Sequence, residues 1–283
     1  MRLILQLRTN DKHLPTSYNY YLSAAIYKLL RLGSPEFSEF LHTKGYELNG
    51  KKYKLFSYAL RFERMRIDQS KITILAPAVK LCVSSPIVDD FIQNFVLGTF
   101  QNQQLEISDR TITTKFSITQ VESLPEVEFH ESNCFKLLSP LVLSTKRENG
   151  NELSQYFLRF NDDISEINRV LNQNLKHKYE LIYKKQYDGS DLQLVWDDAY
   201  ISKKLKENKR LTKKISILKD GIRPVEIIAN EVPFTLTGNK ELIKIGYECG
   251  FGEKNSMGFG LAELKISGVA MPMAEVGREK KSN

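Results

Sequence analysis

The sequence predicts an α+β fold in which two domains, residues 1–123 and 134–270, repeat one order of strands and helices. Short runs with apolar residues at every second position are typical of strands, and longer runs with apolar residues three and four apart are typical of helices. The polar run 124–133, which contains one proline, separates the two halves as a linker. A chain of 283 residues with 41% hydrophobic residues is long enough to form two cores.

A strand opens the first domain, because leucines occupy every second position from Leu3 to Leu7. A helix follows it, with Thr16 or Ser17 as the N-cap, and its apolar residues recur at helical spacing. Tyr27 lies on the opposite face of this helix, so it is expected to point away from the core. On the residues alone, an ordinary half-exposed tyrosine is the simpler interpretation of this position.

The rest of the first domain continues the pattern. The run Ser34-Pro35-Glu36 supplies a cap, a proline at the first helical position and an acid in the first turn, and Gly45 is suited to end that short helix. The further expected elements are strands over 51–65 and 71–83, a helix after Ser85-Pro86 and strands within 105–121. The order strand, helix, strand, strand, helix, strand is that of ferredoxin-like domains, the arrangement of the RNA-recognition motif.

The second domain is predicted to repeat this order less regularly. Its expected elements are a strand from Cys134, a helix over Leu153–Leu175, a strand over Leu192–Trp196, strands over Arg223–Ile228 and Val232–Leu236, a helix over Glu241–Cys249 and a strand over Leu261–Ile266. No sequence repeat relates the two halves, so the expected similarity concerns topology alone. The residues 271–283 are charged and without pattern, as in a frayed tail. The sequence thus predicts two tandem ferredoxin-like (RNA-recognition-motif-like) domains.

A C-terminal glycine-rich loop is predicted within the run IGYECGFGEKNSMGFG, residues 245–260. This run holds five of the fifteen glycines of the chain: Gly246, Gly250, Gly252, Gly258 and Gly260. Because a glycine-rich backbone can present successive N–H groups to an anion, these glycines are candidate RNA-backbone contacts, together with Lys254, Asn255 and Ser256. The alternative is a turn that binds no ligand. The Gly-Lys-Ser/Thr sequence of a nucleotide-binding loop is absent from the run.

Composition narrows the classes of function. The chain has 41 basic and 34 acidic residues, a formal charge of +7, which weakly favours a polyanionic partner. Its three cysteines are far apart and odd in number, so they predict neither a disulfide framework nor a metal site and fit a reducing cytoplasm. The N-terminal apolar run is too short for a signal peptide, and no segment has the length of a membrane span. A cytoplasmic protein without membrane contact is expected.

Two further features carry charge or proton chemistry. Lys203–Lys219 contains eight basic residues and one acidic residue, and is either a solvated face or a surface that contacts phosphates. Among the four histidines, His42 is the best-placed candidate for catalysis, because it lies well away from the apolar face of its short helix. The other three are expected in a turn, in the polar linker and in a basic connector, respectively: His13, His130 and His177.

The glycine-rich run closely resembles the C-terminal signature of the Cas6 family, the CRISPR repeat-processing endoribonucleases of the RAMP superfamily. Its core reads G-Y-x-x-G-F-G-x-x-N-S-x-G-F-G. The segments PTSYNYYLSAAIYKLL and FLHTKGYELNGKKYKLFSYAL are also similar to the family. The resemblance implies that Tyr27 is a catalytic tyrosine, His42 a general acid or base and Lys54 a catalytic lysine. Three other lysines lie close enough in sequence to serve in its place: Lys44, Lys51 and Lys52.

The resemblance also implies an activity. A member of this family binds CRISPR repeat RNA and cleaves precursor transcripts into guide RNAs without metal or cofactor, leaving 5′-hydroxyl and 2′,3′-cyclic phosphate ends. The RNA 2′-hydroxyl is the nucleophile, so the protein needs a group that transfers protons near neutral pH and a positive charge near the phosphate. Other CRISPR-associated effector subunits and a second copy of the chain are further candidate partners. The alternative is a non-catalytic repeat-RNA-binding protein or a structural subunit of an effector complex.

Overall fold

A computed structural model of the chain describes residues 1–68, 71–149, 152–219 and 223–265, so the expected tail lies outside the described residues. The helices are α1 (Tyr18–Gly33), α2 (Pro35–Thr43), α3 (Asn94–Gln101, which continues a π-helical segment at Val88–Gln93), α4 (Ile164–Tyr183), α5 (Asp198–Lys206) and α6 (Lys240–Cys249). The ends of α2 follow the sequence signals. Ser34 Oγ accepts a hydrogen bond from the Phe37 N–H at 3.2 Å, and Gly45, with φ of 65°, follows the last turn.

The strands of the first half are β1 (Arg2–Arg8), β2 (His13–Pro15), β3 (Tyr46–Leu48), β4 (Lys51–Tyr53), β5 (Ser57–Phe62), β6 (Met65–Asp68), β7 (Lys71–Ile74), β8 (Ala78–Ser84), β9 (Gln104–Ser108) and β10 (Thr113–Ser123). Five of them form an antiparallel sheet in the order β5-β8-β1-β10-β9. The helices α1 and α3 pack together and share one core with this sheet. This is the ferredoxin-like order that the sequence predicts, with the α2 helix and the β3–β4 hairpin inserted after α1.

The strands of the second half are β11 (Ser132–Leu137), β12 (Ser144–Asn149), β13 (Glu152–Phe157), β14 (Gln193–Trp196), β15 (Thr212–Lys219), β16 (Arg223–Asn230), β17 (Phe234–Thr237) and β18 (Ala262–Leu264). Four of them form an antiparallel sheet in the order β14-β17-β11-β18, and α4 and α6 connect its strands. The topology matches that of the first half, which confirms the expectation of two ferredoxin-like units. The hairpins β12–β13 and β15–β16 are added to this plan.

The predicted helix over Leu153–Leu175 is wrong at its start. Residues up to Phe157 pair with β12 in a hairpin, and the helix begins only at Ile164. Asp163 sets this start, because its carboxylate accepts hydrogen bonds from the backbone N–H and the hydroxyl of Ser165 at 3.0 and 2.7 Å. The helix then runs to Tyr183, so His177 lies inside α4 rather than in a connector.

The two halves are joined by contacts of the first residues with the second sheet. Arg2 is 4% exposed, and its guanidinium donates to the carbonyl oxygens of Ala262 and Tyr247 at 2.8 and 2.7 Å. The same guanidinium lies 3.6 Å from the centre of the Tyr247 ring, a cation–π contact. These contacts tie β1 to α6 and β18 and thereby bring the glycine-rich run against the first half.

Candidate active site

Tyr27 and His42 meet where α1 passes α2. Their rings lie edge to face, with centroids 5.4 Å apart and planes at 90°. The Tyr27 ring also contacts Phe56 at 5.9 Å, and its backbone carbonyl accepts a hydrogen bond from Ser38 of α2 at 3.2 Å. Burial raises the pKa of Tyr27 above its ordinary value, so its phenol stays protonated at neutral pH. His42 is exposed in the last turn of α2.

Lys54 reaches the same place from the segment between β4 and β5. Its ammonium donates to the carbonyl oxygens of Leu41 and His42, the second at 3.0 Å, and these carbonyls belong to the open C-terminal end of α2. Burial, followed by the charge of Lys52, lowers the pKa of Lys54. The structure therefore brings the Lys54 ammonium to the backbone of the histidine whose ring contacts Tyr27.

The three alternative lysines occupy other positions. Lys52 donates to the Thr43 carbonyl at 3.3 Å, Lys51 lies 3.9 Å from the Glu253 carboxylate, and Lys44 is the exposed residue that follows α2. Within the described parts of the chain, the ammonium of Lys54 is the one of these four that donates to the backbone of His42. This geometry favours Lys54 among the four lysines.

The glycine-rich run forms a compact, largely buried set of turns rather than an open loop. Gly246 lies within α6, and the other four glycines have positive φ angles. At Gly260, with φ of 73°, an added Cβ would lie 1.9 Å from the Phe251 carbonyl oxygen, so any side chain would collide with the backbone. All five glycines and Asn255 are buried, whereas Lys254 and Ser256 are half-buried. The surface that this run can offer to RNA is therefore narrower than its glycine content suggests.

A buried lysine that the sequence analysis missed stabilises the glycine-rich run. Lys178 of α4 is 2% exposed, and its ammonium donates to the carbonyl oxygens of Gly250 and Gly252 and to Oδ1 of Asn255 at 2.7, 2.7 and 2.8 Å. The Asn255 amide in turn donates to two carbonyl oxygens of the run at 3.0 Å. Burial lowers the pKa of Lys178 to about 8. The sequence could have indicated the burial of Lys178, because this lysine occurs at helical spacing from the apolar residues of α4.

The helix α1, which carries Tyr27, also forms hydrogen bonds with the glycine-rich run. Asn19 donates to the Gly258 carbonyl at 3.1 Å, and the Ser23 hydroxyl donates to the Ser256 carbonyl at 2.7 Å. Asn19, Ser23 and Tyr27 are four residues apart and therefore share one face of α1. The contacts of the glycine-rich run and Tyr27 thus lie along the same face of α1.

A pocket of about 290 Å³ lies between the candidate catalytic lysine and the glycine-rich run. Its lining comprises residues 51–56, two residues of α4 and residues 252–256: Lys51, Lys52, Tyr53, Lys54, Leu55, Phe56, Asn174, Lys178, Gly252, Glu253, Lys254, Asn255 and Ser256. Five lysines and one carboxylate line it, so its charge suits an anionic ligand.

The basic run Lys203–Lys219 spans α5 and β15. None of the side chains of α5 is buried. Lys209 pairs with Glu207 at 2.7 Å and Lys214 with Glu226 at 2.6 Å, so two of these cations already have carboxylate partners. Contact of this run with phosphates stays a prediction.

The described residues lack a membrane-spanning helix and a cluster of metal ligands. No helix among them is long and apolar enough to cross a membrane. Within residues 1–68, 71–149, 152–219 and 223–265, no group of three or more His, Cys, Asp and Glu side chains is placed to hold a metal ion.

Comparison with known proteins identifies the family. The family model for the N-terminal part of CRISPR-associated protein Cas6 matches residues 13–122, and the model for its C-terminal part matches residues 124–264. The CRISPR-associated endoribonuclease Cas6 1 of Methanocaldococcus jannaschii is 32% identical over 263 residues, which are 92% of this chain and 91% of that protein. The chain belongs to the Cas6 family. This confirms the family that its glycine-rich run resembles.

Other Cas6 proteins match with similar coverage. The CRISPR-associated endoribonuclease Cas6 of Pyrococcus furiosus is 26% identical over 94% of this chain and 90% of that protein. A solved structure described as CRISPR associated protein Cas6 is 30% identical, with a TM-score of 0.71 over 94% of this chain and 99% of that one. A second, described as an RAMP protein binding different RNA substrates, shares the fold at 20% identity, with a TM-score of 0.75 over 94% and 100% of the two chains.

Proposed function

We propose that this Cas6 protein is a metal-independent endoribonuclease that binds CRISPR repeat RNA and cleaves precursor transcripts into guide RNAs. The observation that carries the proposal is the convergence of Tyr27, His42 and Lys54 beside a pocket lined with lysines. The proposal is further supported by relatives of matching length that are named CRISPR-associated endoribonucleases.

The proposed reaction requires only proton transfer and charge stabilisation from the protein. The RNA 2′-oxygen attacks the adjacent phosphorus, the bond from phosphorus to O5′ breaks, and the products carry a 2′,3′-cyclic phosphate and a 5′-hydroxyl. One proton leaves the 2′-hydroxyl and one arrives at O5′. His42, exposed at the end of α2, transfers one of these protons. Tyr27 stays protonated and orients the imidazole through its ring contact, since a buried phenol is a poor base.

Lys54 supplies the positive charge. An ammonium has three N–H donors, and those of Lys54 that bind the Leu41 and His42 carbonyls leave one for a phosphate oxygen. A cation fixed in this way needs little rearrangement as charge develops on the phosphate, which is the condition for strong transition-state stabilisation.

Two half-buried residues of the glycine-rich run, Lys254 and Ser256, contact the RNA backbone in this proposal. The buried glycines and Asn255 fix the shape of the run, and Lys178 and α1 hold it in place. The division of roles explains why a glycine-rich segment that is mostly buried still borders the pocket.

The proposal is tested by incubating the protein with its repeat RNA in excess EDTA. We expect cleavage at one position, a 5′-hydroxyl and a 2′,3′-cyclic phosphate, and no cleavage of RNA with a 2′-deoxyribose on the 5′ side of that position. RNA with the 2′-deoxyribose one nucleotide further away is the matched control and should be cut normally. A gel shift without cleavage in either EDTA or Mg²⁺ would assign the protein to the non-catalytic repeat binders.

Replacement of Lys254 by alanine should weaken repeat binding and reduce its salt dependence. One phosphate contact to single-stranded RNA contributes about 0.7 to the slope of log affinity against log salt. We therefore expect the slope for K254A to fall by about that amount, as measured by filter binding at several KCl concentrations. Lys254→Arg keeps the charge and the same backbone conformation, so it should keep the slope. An unchanged K254A slope would remove Lys254 from the RNA contacts.

A further inference from the structure

The candidate catalytic lysine lies between two residues that belong to the core of the second half. Tyr53 and Leu55, 8% and 3% exposed, pack in the same cluster as α4 and α6. The intervening Lys54 instead reaches the end of α2. Its position therefore depends on how firmly its two neighbours are anchored.

Leu55 has a backbone conformation that needs support. Its φ of 53° lies in the left-handed region, which is uncommon for a residue other than glycine and costs of the order of 1 kcal/mol or more. The Ser85 hydroxyl donates to the Leu55 carbonyl at 2.9 Å, and the Leu55 side chain is buried. The chain is thus turned at Leu55 so that Lys54 and Leu55 point to different parts of the molecule.

Tyr53 is anchored by a histidine from the other half of the chain. Its hydroxyl lies 2.8 Å from Nδ1 of His177 on α4, and both residues are 8% exposed. Nε2 of the same imidazole lies 3.4 Å from the side-chain nitrogen of Asn49, at the tip of the β3–β4 hairpin. Together these contacts fit the tautomer in which Nδ1 donates to Tyr53 and Nε2 accepts from Asn49. One histidine therefore fixes both the tip and the last residue of this hairpin.

We propose that His177 is a positioning residue for RNA cleavage, which acts by fixing Tyr53 and thereby holds the Lys54 ammonium at the end of α2. His177 does not line the pocket beside Lys54; it lines a separate cleft along α4, together with Arg169 and Lys176. The inference rests on the proposed function, since it concerns the rate at which Lys54 supports cleavage. Under this proposal, the three candidate catalytic residues lie in the first domain, but their arrangement depends on His177 of the second domain.

The test compares Tyr53→Phe, His177→Leu and the double variant in single-turnover cleavage at saturating RNA. Both single changes remove the bond between Tyr53 and His177, and His177→Leu also removes the contact with Asn49. We therefore expect about a tenfold lower rate for Tyr53→Phe, at least that loss for His177→Leu, and a double variant no slower than His177→Leu. Affinity for uncleavable 2′-deoxy repeat should change by less than about twofold, because both changes act on the bond between Tyr53 and His177 and leave the five lysines of the pocket in place. His177→Asn returns a hydrogen-bonding group to the position of Nδ1 and should recover a rate within about threefold of the wild type.

Tyr46→Phe is the matched control, because Tyr46 pairs directly with Tyr53 across the hairpin and the same change there leaves the Tyr53–His177 contact in place. Wild-type rates for both Tyr53→Phe and His177→Leu would overturn the positioning role, as would losses that multiply in the double variant. If the wild-type protein cuts no RNA, crystal structures of wild type and His177→Leu decide the matter. Lys54 Nζ more than about 3.5 Å from the Leu41 and His42 carbonyls in the variant supports positioning, and an unmoved Nζ contradicts it.

Discussion

His42→Ala should lower the single-turnover cleavage rate by about 10²- to 10⁴-fold, the range for loss of a positioned general acid or base. The effect is expected to be large because the imidazole lies against Tyr27, the Lys54 ammonium binds the backbone carbonyl of the same histidine, and the reaction needs a proton transfer at the 2′-oxygen or O5′. Affinity for uncleavable 2′-deoxy repeat should stay unchanged, since the proposed backbone contacts of the glycine-rich run are Lys254 and Ser256 rather than His42. The measurement is a time course with enzyme in excess over labelled RNA.

His130→Ala is the matched control for this change. His130 is also exposed, but it lies in the connection before β11, where its backbone exchanges hydrogen bonds with the Asn133 side chain. It should leave the rate within about twofold of the wild type. A wild-type rate for His42→Ala would remove the imidazole from the mechanism.

Lys178→Met should destabilise the protein by about 3 kcal/mol, because it leaves three buried oxygen acceptors without their donor at about 1 kcal/mol or more each. These acceptors are the carbonyls of Gly250 and Gly252 and the Oδ1 of Asn255. Methionine keeps most of the length and the apolar volume of the side chain, so the change isolates the hydrogen bonds and the charge. Urea unfolding followed by circular dichroism measures the loss.

Lys176→Met, on the same helix, controls for loss of a positive charge. Lys176 forms a partly exposed ion pair with Asp191, and such pairs contribute at most about 1 kcal/mol. Equal unfolding free energies for the Lys178 variant and the wild type would contradict the view that this buried ammonium holds the glycine-rich run together.

The pH dependence of the Lys178 effect has a definite sign. Burial lowers the native pKa of Lys178 to about 8, below its ordinary value of 10.5. Between these two values the unfolded chain binds a proton that the native protein has lost, so the unfolding free energy rises with pH. The stability difference between wild type and Lys178→Met should therefore be larger at pH 9.5 than at pH 7. A difference that shrinks over this range would contradict the lowered pKa.

Local signals were sufficient to predict most of the fold. The alternation of Leu3 to Leu7 gives β1, Ser34 and Gly45 mark the two ends of α2, and the order of elements gives both ferredoxin-like units. The start of α4 could not be predicted in this way. Phe157 and Phe160 continue the helical spacing of Ile164 by coincidence, while the cap at Asp163 and pairing with β12 decide the structure.

Only those features of the candidate site that depend on residues close in sequence could be predicted. His42 is exposed on the short helix α2, as its place in the sequence indicates. Tyr27 does not point away from the core as expected, because its ring packs against Phe56, and only the resemblance to the family indicates a role for it. The role of Lys178 depends on acceptors that follow it by 72 to 77 residues, and that of His177 depends on Tyr53, 124 residues earlier. Contacts between such distant residues are set by the packing of the two halves, so no local pattern reveals them.

The most direct test of the proposed mechanism is the location of the scissile phosphate in a crystal structure with repeat RNA that carries a 2′-deoxyribose at the cleavage position. We expect this phosphate within hydrogen-bonding reach, about 3 Å, of the Lys54 ammonium, with the His42 imidazole beside the 2′-carbon or O5′. A scissile phosphate bound on another surface, out of reach of Tyr27, His42 and Lys54, would contradict the assignment of these residues to catalysis.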